Sequence, residues 1–153
     1  PAGGEPGEPE QKLGEEIAGL LNDYESAMES LQYRKAAQAL RSLWSAGNSY
    51  LEAKAPWIQI RTDQDAAALT LRTAMNLIYL YAVISEPFIP GSAKAMRAAF
   101  AADDAQRQWV TADEAKQLTF VPAGTAFTTP PVLFAKVTED DLEAYRSRFG
   151  GQD

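Results

Sequence analysis

The sequence contains no cysteine and no histidine among its 153 residues. Without these side chains the chain cannot form a zinc finger, a Cys-His nucleophile pair or a Ser-His-Asp triad. Paired carboxylates remain available for acid–base chemistry, but the acidic clusters look like helix starts and solvated loops rather than a convergent site. These clusters are Asp103-Asp104, Asp113-Glu114 and Glu139-Asp140-Asp141. We therefore expect no catalytic residue, metal site or cofactor in this chain.

Long hydrophobic runs are also lacking. The sequence has no run of about 18 apolar residues and no basic-then-apolar leader, so neither a membrane span nor an export signal is expected. The absence of cysteine agrees with a cytoplasmic protein. A length of 153 residues suffices for one domain with a hydrophobic core, but not for a catalytic domain with a second full-sized domain beside it. We expect one soluble, cytoplasmic domain.

The net charge of −7 is unevenly distributed. Residues 1–30 carry eight acidic side chains and a single basic one, Lys12. Residues 31–97 carry eight basic side chains against four acidic ones. Phosphate binding depends on Lys and Arg, so the basic middle of the chain is compatible with a surface that faces RNA. Ordinary solvated helix faces explain the same pattern equally well.

The first part of the chain predicts a linker followed by two helices. Residues 1–10 are rich in Pro, Gly and Glu and cannot bury an apolar face. From Gln11 onward, apolar residues recur at steps of three and four, which predicts a helix. The residues expected to face inward from it are Leu13, Ile17, Leu20, Tyr24, Met28 and Leu31. A second helix is predicted from Tyr33 to Ala53, before Pro56, and should form an antiparallel hairpin with the first.

Two further helices complete a predicted bundle over residues 11–104. The sequence Thr62-Asp63-Gln64-Asp65 supplies a cap and early negative charge for the third helix, which ends at Glu86-Pro87. This helix is apolar on nearly all sides, so it should lie at the centre of the bundle. The fourth is predicted from Pro90, a residue suited to the first turn, to about Ala102.

Residues 105–153 have a different character and are predicted to form an irregular extended arm with a short last helix. Short apolar pieces alternate with turn residues from Leu118 to Phe134, and a small hairpin is an alternative there. The last helix should be capped by Thr138, with Asp141 three residues on, and end at Gly150-Gly151. The arm should pack back on the bundle or on a domain outside this chain. The predicted fold class is all-α.

Three stretches together resemble the C-terminal region of bacterial methionyl-tRNA synthetases. They are Asn48-Ser49-Tyr50-Leu51-Glu52-Ala53-Lys54-Ala55-Pro56-Trp57, Glu86-Pro87-Phe88-Ile89-Pro90, and Pro131-Val132-Leu133-Phe134-Ala135-Lys136-Val137. The first is the most specific, because Asn-x-Tyr followed closely by Ala-Pro-Trp at the end of a bundle helix is a habit of this family. The resemblance extends from about Leu13 to Gly151.

The resemblance implies a helical bundle of the class I synthetase anticodon-binding type, which recognises the CAU anticodon of tRNA-Met. In the parent enzyme a separate Rossmann domain uses ATP and Mg²⁺ to attach methionine to tRNA. Nothing similar to that domain is present here, since its nucleotide-binding signature contains histidines and its Lys-Met-Ser-Lys-Ser loop has no counterpart. The implied partners are tRNA-Met and the enzyme's own catalytic domain, with no membrane or DNA.

Trp57 is the leading candidate for contact with the anticodon. Reading three unstacked bases requires aromatic faces or hydrogen-bonding groups in place of their neighbours. The alternative is that Trp57 is a large residue that plugs the end of the bundle, because tryptophan is highly buried on average. The resemblance favours stacking, since the family's stacking tryptophan sits at this Pro-Trp. Trp44, by contrast, lies within an apolar stripe and is assigned to the core.

Four polar residues are further candidates for anticodon binding. Asn48 could bond a base edge, although packing or capping would explain it as well. Arg61 follows the Pro-Trp turn, where phosphate or base contact is plausible and solvation is the default. Lys54 and Arg72 are weaker candidates of the same kind.

One departure from the family concerns the helix that precedes this region, which also contacts the anticodon and is not in this chain. Its absence should leave an apolar stripe of the bundle exposed. The arm from Leu118 to Phe149 likewise resembles the family's segment that folds back toward the catalytic domain. Val132, Leu133 and Phe134 are therefore candidate interface residues.

Two other functions fit parts of the pattern. A helical protein-interaction module needs only acidity and apolar stripes, and it would neither bind tRNA nor depend on Trp57. The anticodon domain of another class I synthetase is the second, because related enzymes share helical anticodon domains. The Ala-Pro-Trp motif and the Pro-Val-Leu-Phe stretch favour a methionyl-tRNA synthetase over this second alternative.

Overall fold

The structure, a computed structural model, describes residues 4–100, 109–122 and 124–150. Within these ranges it contains seven helices and no strand, which confirms the predicted all-α class and leaves the alternative hairpin of the arm unformed there. The helices are α1 (Glu8–Glu29), α2 (Tyr33–Lys54), α3 (Pro56–Thr62), α4 (Gln64–Ile84), α5 (Pro90–Ala98), α6 (Ala112–Gln117) and α7 (Glu139–Phe149).

The predicted hairpin is formed by α1 and α2, which pack along their length. Half of the expected stripe of α1 is buried, namely Leu13, Ile17 and Tyr24, while Leu20 and Met28 are only partly covered. Leu31 is 69% exposed, because the helix has already ended and the chain turns there with a positive φ of 56°. The core between these helices is formed by Leu13, Ile17, Leu21, Tyr24, Leu40, Leu43 and Tyr50, with Leu77, Leu80 and Ile84 from α4.

The third predicted helix, α4, supplies the centre of the bundle and buries ten of its residues. Its predicted cap is present, since Asp63 Oδ1 accepts a hydrogen bond from the Ala66 amide at 2.9 Å. It is not covered on all sides, however. Leu71 is 49% exposed, and Met75 and Ile78 on the same stripe are partly exposed, in agreement with the expectation of an uncovered apolar stripe.

By length and mean hydropathy α4 could also cross a membrane. More than half of its most apolar stretch is buried inside the bundle, and core helices of soluble proteins can be equally long and apolar. Its packing against α2 is close: a Cβ at Gly47 would overlap the hydroxyl of Tyr81, which donates to the Leu43 carbonyl at 2.6 Å. Glycine at position 47 therefore allows the two helices to approach.

Several boundaries differ from the prediction. The first helix begins at Glu8, inside the predicted linker, because the Glu10 carboxylate accepts a hydrogen bond from the Gly7 amide at 2.9 Å and caps the helix. The short helices α3 and α6 were not predicted. The fourth predicted helix, α5 in the structure, ends at Ala98 and is followed by a turn. Outside the described residues lie parts of five predictions: residues 1–3 of the linker, the helix end at Ala102, Asp103-Asp104, Ala123 of the arm's turn, and Gly151.

The first half of the arm packs on the bundle. Val121 donates its backbone N–H to Asn76 Oδ1 at 2.8 Å, and Thr128 donates to the Ala99 carbonyl at 2.8 Å. Aromatic rings support these contacts in three pairs: Tyr79 with Phe120, Tyr79 with Phe100, and Phe100 with Phe127. The second half differs, since Val132 is 89% exposed and α7 has no buried residue.

The position of α6 against α1 depends on Gly14. A Cβ at this residue would overlap the backbone carbonyl of Lys116, which cannot move without shifting α6. A salt bridge between Lys116 and Glu15 at 3.3 Å accompanies the contact at the surface. The glycine thus permits an approach that any other residue would prevent.

We predict that Gly14→Ala lowers the free energy of unfolding by about 1–3 kcal/mol, the usual cost of overpacking. The matched control is Gly19→Ala on the same helix, where an added Cβ meets no atom within 4 Å. That change should instead stabilise the protein by roughly 0.5–1 kcal/mol, because alanine is the better helix former. Urea unfolding of both variants measures the difference, and equal midpoints would contradict the close approach of α6.

Candidate nucleic-acid interface

A sharp corner joins α2 to α3 at Ala55. This residue has left-handed backbone angles, φ 46° and ψ 62°, because the proline that follows disfavours the right-handed helical region. Its N–H donates to the Leu51 carbonyl at 2.9 Å and ends α2. Its own carbonyl accepts from Ile58 at 2.8 Å and from Gln59 at 3.1 Å, which begins α3. Pro56, buried at the first helical position, needs no hydrogen bond there.

The helix α3 turns one face to α4 and the other outward. Pro56 is buried, and Gln59 Oε1 accepts a hydrogen bond from the Thr70 hydroxyl of α4 at 2.9 Å. On the outer side Trp57 and Ile58 are each 59% exposed, and Ile60 is 50% exposed. The structure therefore excludes the alternative in which Trp57 plugs the end of the bundle.

Trp57 and Arg61 are brought together on the outer face of α3. They are four residues apart and so lie one above the other on a helix. Arg61 is exposed, and it is the only charged residue of this helix. The outer face therefore offers a large ring beside a single positive charge, which suits a base next to its phosphate.

Asn48 lies on the solvent side of α2, six residues before the end of that helix. At about 1.5 Å per residue, this places it roughly 9 Å along the axis from Lys54. Within the described part of the chain its side chain takes no part in a hydrogen bond. Its amide is therefore available to a ligand, and the packing or capping role considered from the sequence is not formed.

Lys54 has a structural partner instead of facing the solvent. Its ammonium lies 2.8 Å from Glu10 Oε1, and both side chains are largely shielded from water. It also lies over the ring of Tyr50, 5.7 Å from the centroid. Leaving Glu10 unpaired in this buried position would be costly, so Lys54 has a role within the fold, and its contact with RNA stays a prediction.

Arg72 is likewise engaged within the protein. It is partly buried, and its guanidinium donates to the Gly4 carbonyl at 2.7 Å, holding the incoming chain against α4. Arg97 of α5 is buried and forms an ion pair with Glu86 at 3.2 Å. The basic excess of the middle of the chain is therefore smaller at the surface than in the sequence, and contact of Arg72 with RNA stays a prediction.

Glu10 was not predicted to have any role. Burial would raise the pKa of its carboxyl, but hydrogen bonds from Lys54, Tyr50 and the Gly7 amide outweigh burial and hold the pKa below its usual value. The Tyr50 hydroxyl donates to Glu10 Oε1 at 2.8 Å. Burial raises the pKa of Tyr50 to about 12, so this donor keeps its proton at neutral pH. Sequence reasoning missed the cluster because its members are far apart in the chain.

The described residues hold no group of three or more His, Cys, Asp or Glu side chains placed to bind a metal ion. The region of the corner offers three groups that can bind a ligand: the indole face of Trp57, the guanidinium of Arg61 and the carboxamide of Asn48. None of these is paired with a base that could activate it as a nucleophile.

Comparison with known proteins agrees with this geometry. Residues 1–153 match the family described as the anticodon binding domain of methionyl tRNA ligase. The chain belongs to this family. That membership decides against the anticodon domain of another class I synthetase.

Relatives named methionine–tRNA ligase include those of Streptomyces avermitilis, 70% identical over 99% of this chain, and Cereibacter sphaeroides, 47% identical over 99%. The protein of Caulobacter vibrioides is 44% identical over the whole chain. The chain spans only 26–27% of the length of these relatives. It covers the anticodon-binding domain alone, and the catalytic domain of such ligases is absent from it.

We predict that Glu10→Gln lowers the free energy of unfolding at pH 7 by about 1–3 kcal/mol, because Lys54 loses its buried partner. Since the folded pKa of Glu10 lies below its ordinary value of 4.5, its contribution is complete above that value and is lost as the pH falls through the folded pKa. The difference between wild type and variant should therefore shrink toward pH 3 in urea unfolding.

The control for this experiment is Glu8→Gln. Glu8 forms an ion pair with Lys12 at 2.6 Å, but its side chain is 76% exposed. This change should cost less than about 0.5 kcal/mol, as for other exposed pairs. Equal effects of the two substitutions would show that the Glu10 cluster contributes no more than a surface ion pair.

Proposed function

We propose that this domain recognises the CAU anticodon of tRNA-Met, with Trp57 stacking on one of the unstacked bases. The observation that carries the proposal is the exposure of Trp57 on an anchored helix. A 59% exposed tryptophan is unusual for so large an apolar side chain, and here its helix is fixed by the buried Pro56 and by the Gln59–Thr70 hydrogen bond. A preformed aromatic face needs no ordering when a base arrives.

Two neighbouring polar groups make the remaining proposed contacts with RNA. Arg61, one turn along α3, contacts a phosphate beside the stacked base. Asn48 hydrogen-bonds a base edge, since a carboxamide both donates and accepts. Stacking is worth on the order of 1–3 kcal/mol per base, so Trp57 contributes more than either polar contact alone.

In the longer protein that contains this domain, we propose that a separate catalytic domain uses ATP and Mg²⁺ to attach methionine to tRNA-Met in the cytoplasm. The names and lengths of the relatives support this. That catalytic domain is also the proposed partner of the exposed apolar residues beyond Pro130, among them Val132 and Phe134, which are 89% and 64% exposed. The expectation of an interface at these residues therefore stands as part of the proposal.

The competing function is a helical protein-interaction module. The exposed Ile58 and Ile60 beside Trp57 suit an apolar partner. Membership of an anticodon-binding family and the adjacent Arg61 favour RNA instead. The two functions predict opposite results when RNA is offered.

We predict that an anticodon stem-loop with CAU binds more tightly than the same loop with a changed first base, at fixed moderate salt. Trp57→Ala should weaken binding to the CAU loop by roughly 5- to 150-fold, which corresponds to the loss of one stacked base. The control is Tyr33→Ala, which removes a 55% exposed aromatic side chain from the other end of α2, roughly 33 Å away. Fluorescence anisotropy of labelled RNA measures all three proteins.

Equal weak binding to both loops would call for the same assay in a longer protein that includes the segment preceding this domain. A CAU preference that appears there and depends on Trp57 would support the proposal. Equal binding to both loops there as well would reject anticodon recognition and favour the interaction module.

We predict that Arg61→Gln weakens binding to the CAU loop and to the changed loop by the same factor, because a phosphate contact carries no base information. The slope of log K against log salt concentration should decrease by about 0.7, the value for one contact to a single strand. Arg34→Gln, an exposed arginine at the start of α2, is the control and should leave the slope unchanged. A loss confined to the CAU loop would instead assign Arg61 to a base.

A further inference from the structure

A group of polar side chains lies between the helices of the bundle and ends on α3. It begins at Glu10, which accepts a hydrogen bond from the Tyr50 hydroxyl at 2.8 Å. Thr73 and Thr70 of α4 lie beside Tyr50, while the Thr73 hydroxyl donates to the Leu69 carbonyl at 3.0 Å. Thr70 then donates to Gln59 Oε1 at 2.9 Å. The start of α1, the end of α2, the middle of α4 and the outer helix α3 thus share one polar cluster.

The last link, from Thr70 to Gln59, is the one that acts on α3. Thr70 is 1% exposed, so water does not compete for its hydroxyl. Among the described side chains of α3, Gln59 alone donates or accepts a hydrogen bond with another helix. Its neighbours Ile58 and Ile60 are 59% and 50% exposed.

This hydrogen bond affects how α3 is rotated about its own axis. A helix of seven residues has two turns, and α3 packs against α4 with Pro56 buried at its start and Gln59 on its inner face. A slip by one residue would turn the outer face by about 100° and carry Trp57 away from its present direction. A hydrogen bond from the inner face at Gln59 prevents this slip.

We propose that Gln59 and Thr70 are positioning residues, which fix the rotation of α3 and so the direction in which Trp57 and Arg61 meet RNA. The proposal rests on the proposed function for the RNA part and on the geometry of α3 for the rest. Neither residue contacts the base.

The first test uses Thr70→Val, which keeps the shape of the side chain and removes the donor, and Thr70→Ser, which restores the donor. Hydrogen exchange measured by NMR should show faster exchange for the amides of α3 in the valine variant, and wild-type rates in the serine variant. Amides of α1, far from the change, should keep their rates. Unchanged exchange in α3 would overturn the proposal.

The second test measures binding of the CAU stem-loop at low salt, where phosphate contacts preserve a measurable affinity without Trp57. Thr70→Val should weaken binding by roughly 2- to 12-fold, the effect of one hydrogen bond, and Thr70→Ser should bind as wild type. In a Trp57→Ala background the valine substitution should have a smaller effect, because only its action through Arg61 remains. An equal loss in both backgrounds would show general destabilisation and overturn the positioning role.

Failure of the proposed function would look different, since wild type and Trp57→Ala would then bind the CAU loop equally. If the valine substitution in the core lowers stability, Gln59→Leu removes the acceptor from the surface side of the same bond. It should reproduce both the faster exchange of α3 and the weaker binding. Wild-type behaviour of this variant in both measurements would reject the link.

Discussion

The ion pair between Glu10 and Lys54 is the contact on which the position of the corner at Ala55 depends. Glu10 lies in the first turn of α1 and Lys54 is the last residue of α2, so the pair joins the start of one helix to the end of the other. Shielding from water makes it stronger than a surface pair and makes the loss of either partner costly. Because Ala55 follows Lys54 directly, the same contact fixes where the corner begins and where α3 can start.

The three tryptophan side chains lie in different environments. Trp44 packs against the core, and Trp109 stacks on Tyr24 while its indole N–H donates to Glu25. Trp57 has neither a ring partner nor a hydrogen bond in the described part of the chain. Burying a large apolar side chain contributes about 1.5–3 kcal/mol, and the fold forgoes this at Trp57. Such a cost at one position is readily explained by a ligand that covers the ring.

Helical periodicity was enough to predict the hairpin of α1 and α2, the central helix α4 and the capped last helix, because each repeats its apolar spacing over several turns. It could not reveal α3, whose seven residues are too few for a period and whose proline suggested only the end of α2. Nor could it show that Lys54 and Glu10 meet, since no local pattern links residues so far apart. The exposure of Trp57 agrees with the motif, while the bond that orients its helix is a tertiary contact.

The last helix, α7, leaves its apolar side chains uncovered in this domain. α7 has eleven residues and no buried side chain, a length at which isolated helices are marginal in water. A capping box stabilises its start: the hydroxyl and the amide of Thr138 both donate to Asp141, and these bonds lower the pKa of that carboxyl. The cap does not bury the apolar residues of this helix, which include Tyr145 and Phe149 at 53% and 70% exposure. Within the described residues the side chains of α7 have no surface that buries them, and the proposed catalytic domain would supply one.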